Sequence, residues 1–89
     1  MIVRVKDIIG KEVVTEDGVS IGRIEDLEIE NWVVTKLVLR LSRDAARAIG
    51  VRLSLRPRGS VNPTHVKGVG DYVTLSVAAS KLSDAVKLE

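Results

Sequence analysis

The sequence predicts an all-β fold, a small barrel of about six short strands, and three observations carry that prediction. Residues 32–41 and 72–77 alternate apolar and polar side chains at the period of a half-buried strand. Asp17-Gly18 separates two apolar runs and supplies the tolerance of positive φ that a tight hairpin needs. The third observation is composition: 45% of residues are hydrophobic but only 2% aromatic, so the core must be built from Val, Leu and Ile, which favour strands.

In chain order, Ile2-Val3-Arg4-Val5 reads as a first short strand, connected through Asp7-Ile8-Ile9 to Gly10. Val13-Val14 is the next, stopped at Glu16-Asp17-Gly18. A longer strand leaves this turn at Ser20-Ile21 and runs to Ile29, with Gly22 marking a bend or a close backbone approach. Ile21 is in phase with Leu27 and Ile29 while Ile24 is not, and a strictly alternating strand cannot bury both sets on one face. A β-bulge near Glu25-Asp26 is therefore expected, the device that closes small barrels. Asn31 is the turn residue that follows. In the strand Trp32–Leu41, Val33, Thr35, Leu37, Leu39 and Leu41 share the expected core face; Trp32, Val34, Lys36, Val38 and Arg40 share the other.

Ser42 is a good N-cap, and Arg43–Ile49 is the strongest helical stretch in the chain, closed by Gly50 at the C′ position. Val51–Arg56 alternates again, with Val51, Leu53 and Leu55 inward, and Pro57-Arg58-Gly59 breaks that strand. Ser60-Val61-Asn62 reads as a very short strand and Pro63–Val66 as a single turn leading to Val69-Gly70-Asp71. Tyr72–Val77 is the last barrel strand, with Val73, Leu75 and Val77 inward. The barrel domain thus spans 1–80. In the tail, 81–89, Leu82, Ala85 and Val86 stand at helical spacing, so the tail is expected to pack as a short helix over a barrel end or to fray.

Several function classes lose support from composition. The chain has no cysteine, hence no disulfide framework, thiol nucleophile or cysteine metal site. No apolar run approaches the roughly 20 residues that span a bilayer, and the first residues lack a signal-peptide layout. A cytoplasmic location is expected. His65 is the one histidine and no serine stands in a nucleophile-elbow pattern, so catalysis would rest on carboxylates. Glu25, Asp26, Glu28 and Glu30 divide between opposite strand faces and read as a solvated edge. Gly18 to Gly22 and Gly68 to Gly70 open no helix, which a phosphate-cradling loop requires, and read as turn glycines. No enzyme, cofactor or metal site is expected.

Two features point to binding. The net charge is only +2, but residues 43–67 carry six Lys/Arg against one Asp/Glu, whereas residues 1–42 carry six against eight. Arg43, Arg47, Arg52, Arg56 and Arg58 could line a basic face for an acidic protein surface or for nucleic acid. No aromatic residue is interleaved for base stacking. The second feature is Trp32, alone among aliphatic residues. It either lids the barrel or, with Val34 and Val38 in phase beside it, forms an interface, because Trp concentrates binding energy. The expected interaction surface is therefore Trp32, Val34, Val38, Arg40, Arg52, Arg56 and Arg58, serving a homodimer or heterodimer that supplies burial a domain of this size lacks.

The order and spacing of Ile9-Gly10-Lys11-Glu12-Val13, Asp17-Gly18, Ile21-Gly22-Arg23-Ile24-Glu25-Asp26-Leu27, Pro63, Val66, Val69-Gly70-Asp71 and Val73 resemble the PRC-barrel family over most of the chain. Of its branches, the stand-alone archaeal proteins fit best. The chain shows neither the membrane segment of the reaction-centre H subunit nor the preceding barrel of the ribosome maturation factor. The resemblance implies a non-enzymatic adaptor in archaeal cell division, paired with a related PRC-barrel protein and linked to the membrane anchor of the tubulin-like division ring. An RNA- or ribosome-associated role through the Arg43–Arg58 segment is the alternative.

Overall fold

The structure, a computed structural model, describes residues 2–50 and 55–89. Its largest element is a long hairpin, β2 (Ser20–Glu30) and β3 (Val33–Leu41). Before it come a one-turn helix, α1 (Val5–Ile8), and β1 (Glu12–Val14). After it come helix α2 (Arg43–Ala48), β4 (Arg58–Val61), β5 (Val66–Val69), β6 (Val73–Leu75) and β7 (Val86–Leu88). Short 3-10 turns at Pro63–His65 and Ala79–Asp84 join the later strands. The seven strands form one sheet in the order β5-β6-β1-β2-β3-β4-β7, curled into a half-barrel. All neighbours are antiparallel except β1 and β6. The expected all-β class is the observed one; among the described residues β5 and β7 are strands that the alternation does not indicate.

The core inside the curl is aliphatic, as the composition requires. Val13, Ile21, Ile24, Leu39, Val61, Val73 and Leu75 are essentially inaccessible to solvent. Ile24 and the half-buried Leu27 turn to the same side because the bulge expected at Glu25 is present: Ile24 pairs with Leu39 and Asp26 with Val38, leaving Glu25 as the extra residue. Ile21 joins them through a separate irregularity against β1, where Val13 pairs with Gly22 and Val14 with Ser20, leaving Ile21 as the extra residue. Gly22 sits near the start of β2 at φ +153°, where β2 lies so close to β3 that a Cβ would stand 2.0 Å from the Arg40 carbonyl oxygen.

A second bulge was not legible. Glu28 pairs with Lys36 but Ile29 pairs with Val34, so Thr35 is extra on β3 and the alternation reverses beyond it. Val33, expected inward, is therefore exposed, Thr35 is half-buried, and Val34 packs against the core.

Other expectations need correction. Ile2–Val5 forms no strand; Ile2 is exposed and the chain turns once through α1, held by the Ile9 N–H on the Val5 carbonyl at 3.0 Å. Strand-forming side chains without a ladder partner have no packed surface to fit. The expected strand Val51–Arg56 lies outside the described residues up to Ser54; Leu55, expected inward, is 97% exposed in a bend. Pro57-Arg58-Gly59 begins a strand instead of ending one: the Pro57 carbonyl accepts from Leu41 N–H at 2.9 Å, a bond that needs no donor from proline. β5 went unread because a register shift between Val66 and Gly68 breaks its alternation. The tail is a 3-10 turn followed by β7, which pairs with β4. Leu82, Ala85 and Val86 are all buried there, without an α-helix.

Helix α2 follows the reading closely. The Ser42 hydroxyl oxygen accepts from Ala45 N–H at 3.1 Å, and Gly50 takes φ +99° after the last turn. Ser42→Ala should therefore lower stability by about 1 kcal/mol in a denaturant titration.

The Asp17-Gly18 turn does more than reverse the chain. Asp17 Oδ1 accepts from the buried Thr15 hydroxyl and, across 62 positions of sequence, from Ala79 N–H at 3.0 Å; Glu16 N–H donates to the Val77 carbonyl at 2.8 Å. The turn is thereby tied to the segment that follows β6. The Thr15 hydroxyl above all, then the Ala79 N–H, holds the Asp17 carboxyl below its ordinary range. A carboxyl depressed on folding stabilises the fold above its unfolded pKa, and that contribution disappears as pH falls through the lower folded value. Melting temperatures measured across the acid range should fall less steeply for Asp17→Asn than for the wild type. Equal slopes would mean that this carboxylate plays no part in acid unfolding.

Candidate interaction surface

The β2–β3 hairpin carries two features, one at each end. At its tip Glu30 pairs with Val33, leaving a two-residue turn of Asn31 and Trp32, at φ +51° and +65°. This is the mirror-image turn whose twist matches that of the strands, and it requires positive φ at both positions. Asn tolerates that conformation, but the second position ordinarily holds glycine. A tryptophan there costs on the order of 1–2 kcal/mol. Trp32 is nevertheless 96% exposed, so no packing within the chain offsets the strain. Ile29 and Val33, exposed beside it, make the tip an apolar projection. Behind it Lys36 Nζ lies 3.6 Å from Glu28 Oε2 and the Thr35 hydroxyl donates to the Glu28 carbonyl at 3.3 Å, holding the two strands together.

Near the base of the hairpin lies a row of arginines. Arg23 on β2 is directly opposite Arg40 on β3, and Arg40 is opposite Arg58 on β4. Residues opposite one another in a sheet share a face, so the three guanidinium groups are on the outer side, away from the core that Leu39 and Leu41 fill. Glu12, opposite Arg23 on β1, lies 3.5 Å from its Nη2, and Arg23 Nη1 also donates to the Gly10 carbonyl at 3.0 Å. Glu25, set apart by the bulge, reaches Arg58 Nε at 2.9 Å with Oε2 and Arg58 Nη2 at 3.4 Å with Oε1. The Nε contact is an ion pair without hydrogen-bond alignment, since Oε2 is buried with no hydrogen-bond partner. Arg40 Nη2 is 4.0 Å from the same carboxylate.

The expected interaction surface is thus divided between two places. Trp32 is at the tip. Val34, turned by the second bulge, packs against the core, and Val38 is buried on the outer face at 7% exposure, so these three do not form one open apolar face. Arg40 and Arg58 are in the row, Arg56 is exposed in the bend before Pro57, and Arg52 lies outside the described residues. Arg23 was missed: its register with Arg40 depends on the hairpin length and on the Glu25 bulge, and nothing in its own neighbourhood signals it. Glu25, expected on a solvated edge, is half-buried between two arginines. Asp26 Oδ1 accepts from Leu27 N–H at 2.8 Å, and His65 closes the 3-10 turn after Pro63. Among the described residues no group of three His, Asp or Glu is placed to hold a metal ion.

A small curled β-sheet with an apolar hairpin tip and a charged outer row defines the class of module. Residues 1–79 match the PRC-barrel domain, and the chain belongs to that family, whose small domains are of a non-catalytic kind that often mediates interactions. No curated protein matches the chain. Among the described residues no helix is long and apolar enough to cross a membrane.

Proposed function

We propose that this protein is a non-enzymatic protein-interaction module that works as a dimeric adaptor through the tip of its β2–β3 hairpin. One observation carries the reading: an exposed tryptophan is held at positive φ where glycine would be less strained. Strain of this kind is retained where it has a use, and an exposed Trp flanked by Ile29 and Val33 suits a partner pocket. The arginines of the outer row set orientation and encounter rate. The finer assignment, a cytoplasmic adaptor at the archaeal division site linked to the membrane anchor of the tubulin-like ring, rests on the resemblance to stand-alone archaeal PRC-barrel proteins. A related PRC-barrel protein is the expected second subunit where the pair is a heterodimer. Sedimentation over a range of concentrations tests the homodimeric form. Association by the wild type that Trp32→Ala removes would support it, and a wild type that stays monomeric at high concentration would sink it.

A further inference from the structure

The outer face of β2, β3 and β4 breaks a rule of sheet stability. Arg23, Arg40 and Arg58 are cross-strand neighbours in register, so three like charges stand at strand spacings of about 4.8 Å, an arrangement that destabilises a sheet. Glu12 tempers one end and Glu25 the other. The middle arginine is the least compensated, its nearest carboxylate oxygen being 4.0 Å away. Beside Arg40 and Arg23 opens a cleft of about 230 Å³, lined also by Ser20, Leu41, Ser42 and by Glu12, whose carboxylate is held by Arg23 and leaves Arg40 as the open cation of the cleft. Local rules are broken in this way where a site has another use.

We infer that this row docks a carboxylate from an acidic segment of a partner protein, and that Glu25 is an internal occupant which the incoming carboxylate displaces from Arg40 and Arg58. The inference rests on the interaction-module reading but concerns a surface separate from the tip: Arg40 is eight positions along β3 from Trp32, roughly 25 Å at strand rise. Arginine presents a planar fork of donors that matches a carboxylate in two parallel bonds, and a cleft beside it lets the carboxylate approach in that plane. The charge balance of the face selects the occupant. With the rows next to the arginines included, it holds Arg23, Arg40, Arg58, Lys36 and Lys87 against Glu12, Glu25, Asp26, Glu28 and Glu89, whose N–H donates to the Arg58 carbonyl at 3.2 Å. A face so nearly neutral gains little from the counterion release that drives polyphosphate binding, whereas one carboxylate on Arg40 is a local event.

The test follows the arginine side-chain Nε–H signals by NMR while the protein is titrated with an acetylated, amidated tetraglutamate peptide. The signals of Arg23, Arg40 and Arg58 should shift together, Arg40→Gln should weaken binding roughly tenfold, and Glu25→Gln should strengthen it, because the internal competitor is removed. A purely structural role for Glu25 predicts no gain in affinity, so unchanged or weaker binding by Glu25→Gln would overturn the displacement. Unmoved arginine signals would overturn the site. Stronger, steeply salt-dependent shifts with a uridine dodecamer would assign the row to nucleic acid instead, and shifts produced by raising protein concentration alone would assign it to a second copy. Peptide binding that persists in Trp32→Gly supports a site distinct from the tip, even where that variant loses self-association.

Discussion

Gly22→Ala is expected to remove about 3 kcal/mol or more of folding stability, a large part of what a domain of this size holds. Two effects act together. The backbone at φ +153° disfavours any side chain, and a Cβ would meet the Arg40 carbonyl at 2.0 Å, its carbon at 3.0 Å and Leu41 Cα at 3.1 Å. These are backbone atoms of the central hairpin, so the collision is relieved only by parting β2 from β3. That parting would loosen the ladder that also aligns Arg23 with Arg40 and positions the Glu25 bulge. Urea unfolding should show a much lower midpoint for Gly22→Ala. Gly68→Ala is the control: an added Cβ there meets nothing within 4 Å and the backbone is not at positive φ, so the midpoint should barely move.

Trp32→Gly is expected to act in opposite directions on stability and binding. Glycine takes the second position of the mirror-image turn without strain, so the variant should unfold about 1 kcal/mol later than the wild type. Loss of a well-seated tryptophan from an interface costs about 2 kcal/mol or more, so association through the tip should weaken roughly thirtyfold or beyond. A residue kept for the fold would give the reverse pattern, with lower stability and unchanged association. Denaturant titration and sedimentation on the same preparation separate the two.

The residues that could be read in advance are those whose structural reason is local. Asp17-Gly18, Ser42, Gly50 and Pro63 act on the backbone within a few positions, and each does in the structure what its chemistry indicates. The Glu25 bulge was legible because the phase of Ile21, Ile24 and Leu27 cannot be satisfied by a straight strand. The Thr35 bulge was not, because Val33, Val34 and Thr35 fit either face, and its reversal of phase moved Val34 to the core. The tail is neither the short helix nor the frayed end expected of it, because Leu82, Ala85 and Val86 are buried from a 3-10 turn and a strand in succession, which copies helical spacing by coincidence. The arginine row depended on the registers of three strands, and no window of sequence contains those. Trp32 was picked out by its rarity, but its place in the turn and its strained backbone became visible only with the pairing of Glu30 and Val33.

The claim that the hairpin tip is where this protein meets its partner is tested most directly by placing a photo-crosslinking side chain at position 32 and, in a second variant, at position 81, which is exposed on the 3-10 turn before β7. The protein is irradiated in its source cells. A partner at the tip predicts a discrete covalent adduct from position 32 and none of the same mass from position 81. A folded variant that yields no adduct from position 32, or the same adduct from both positions, would contradict it.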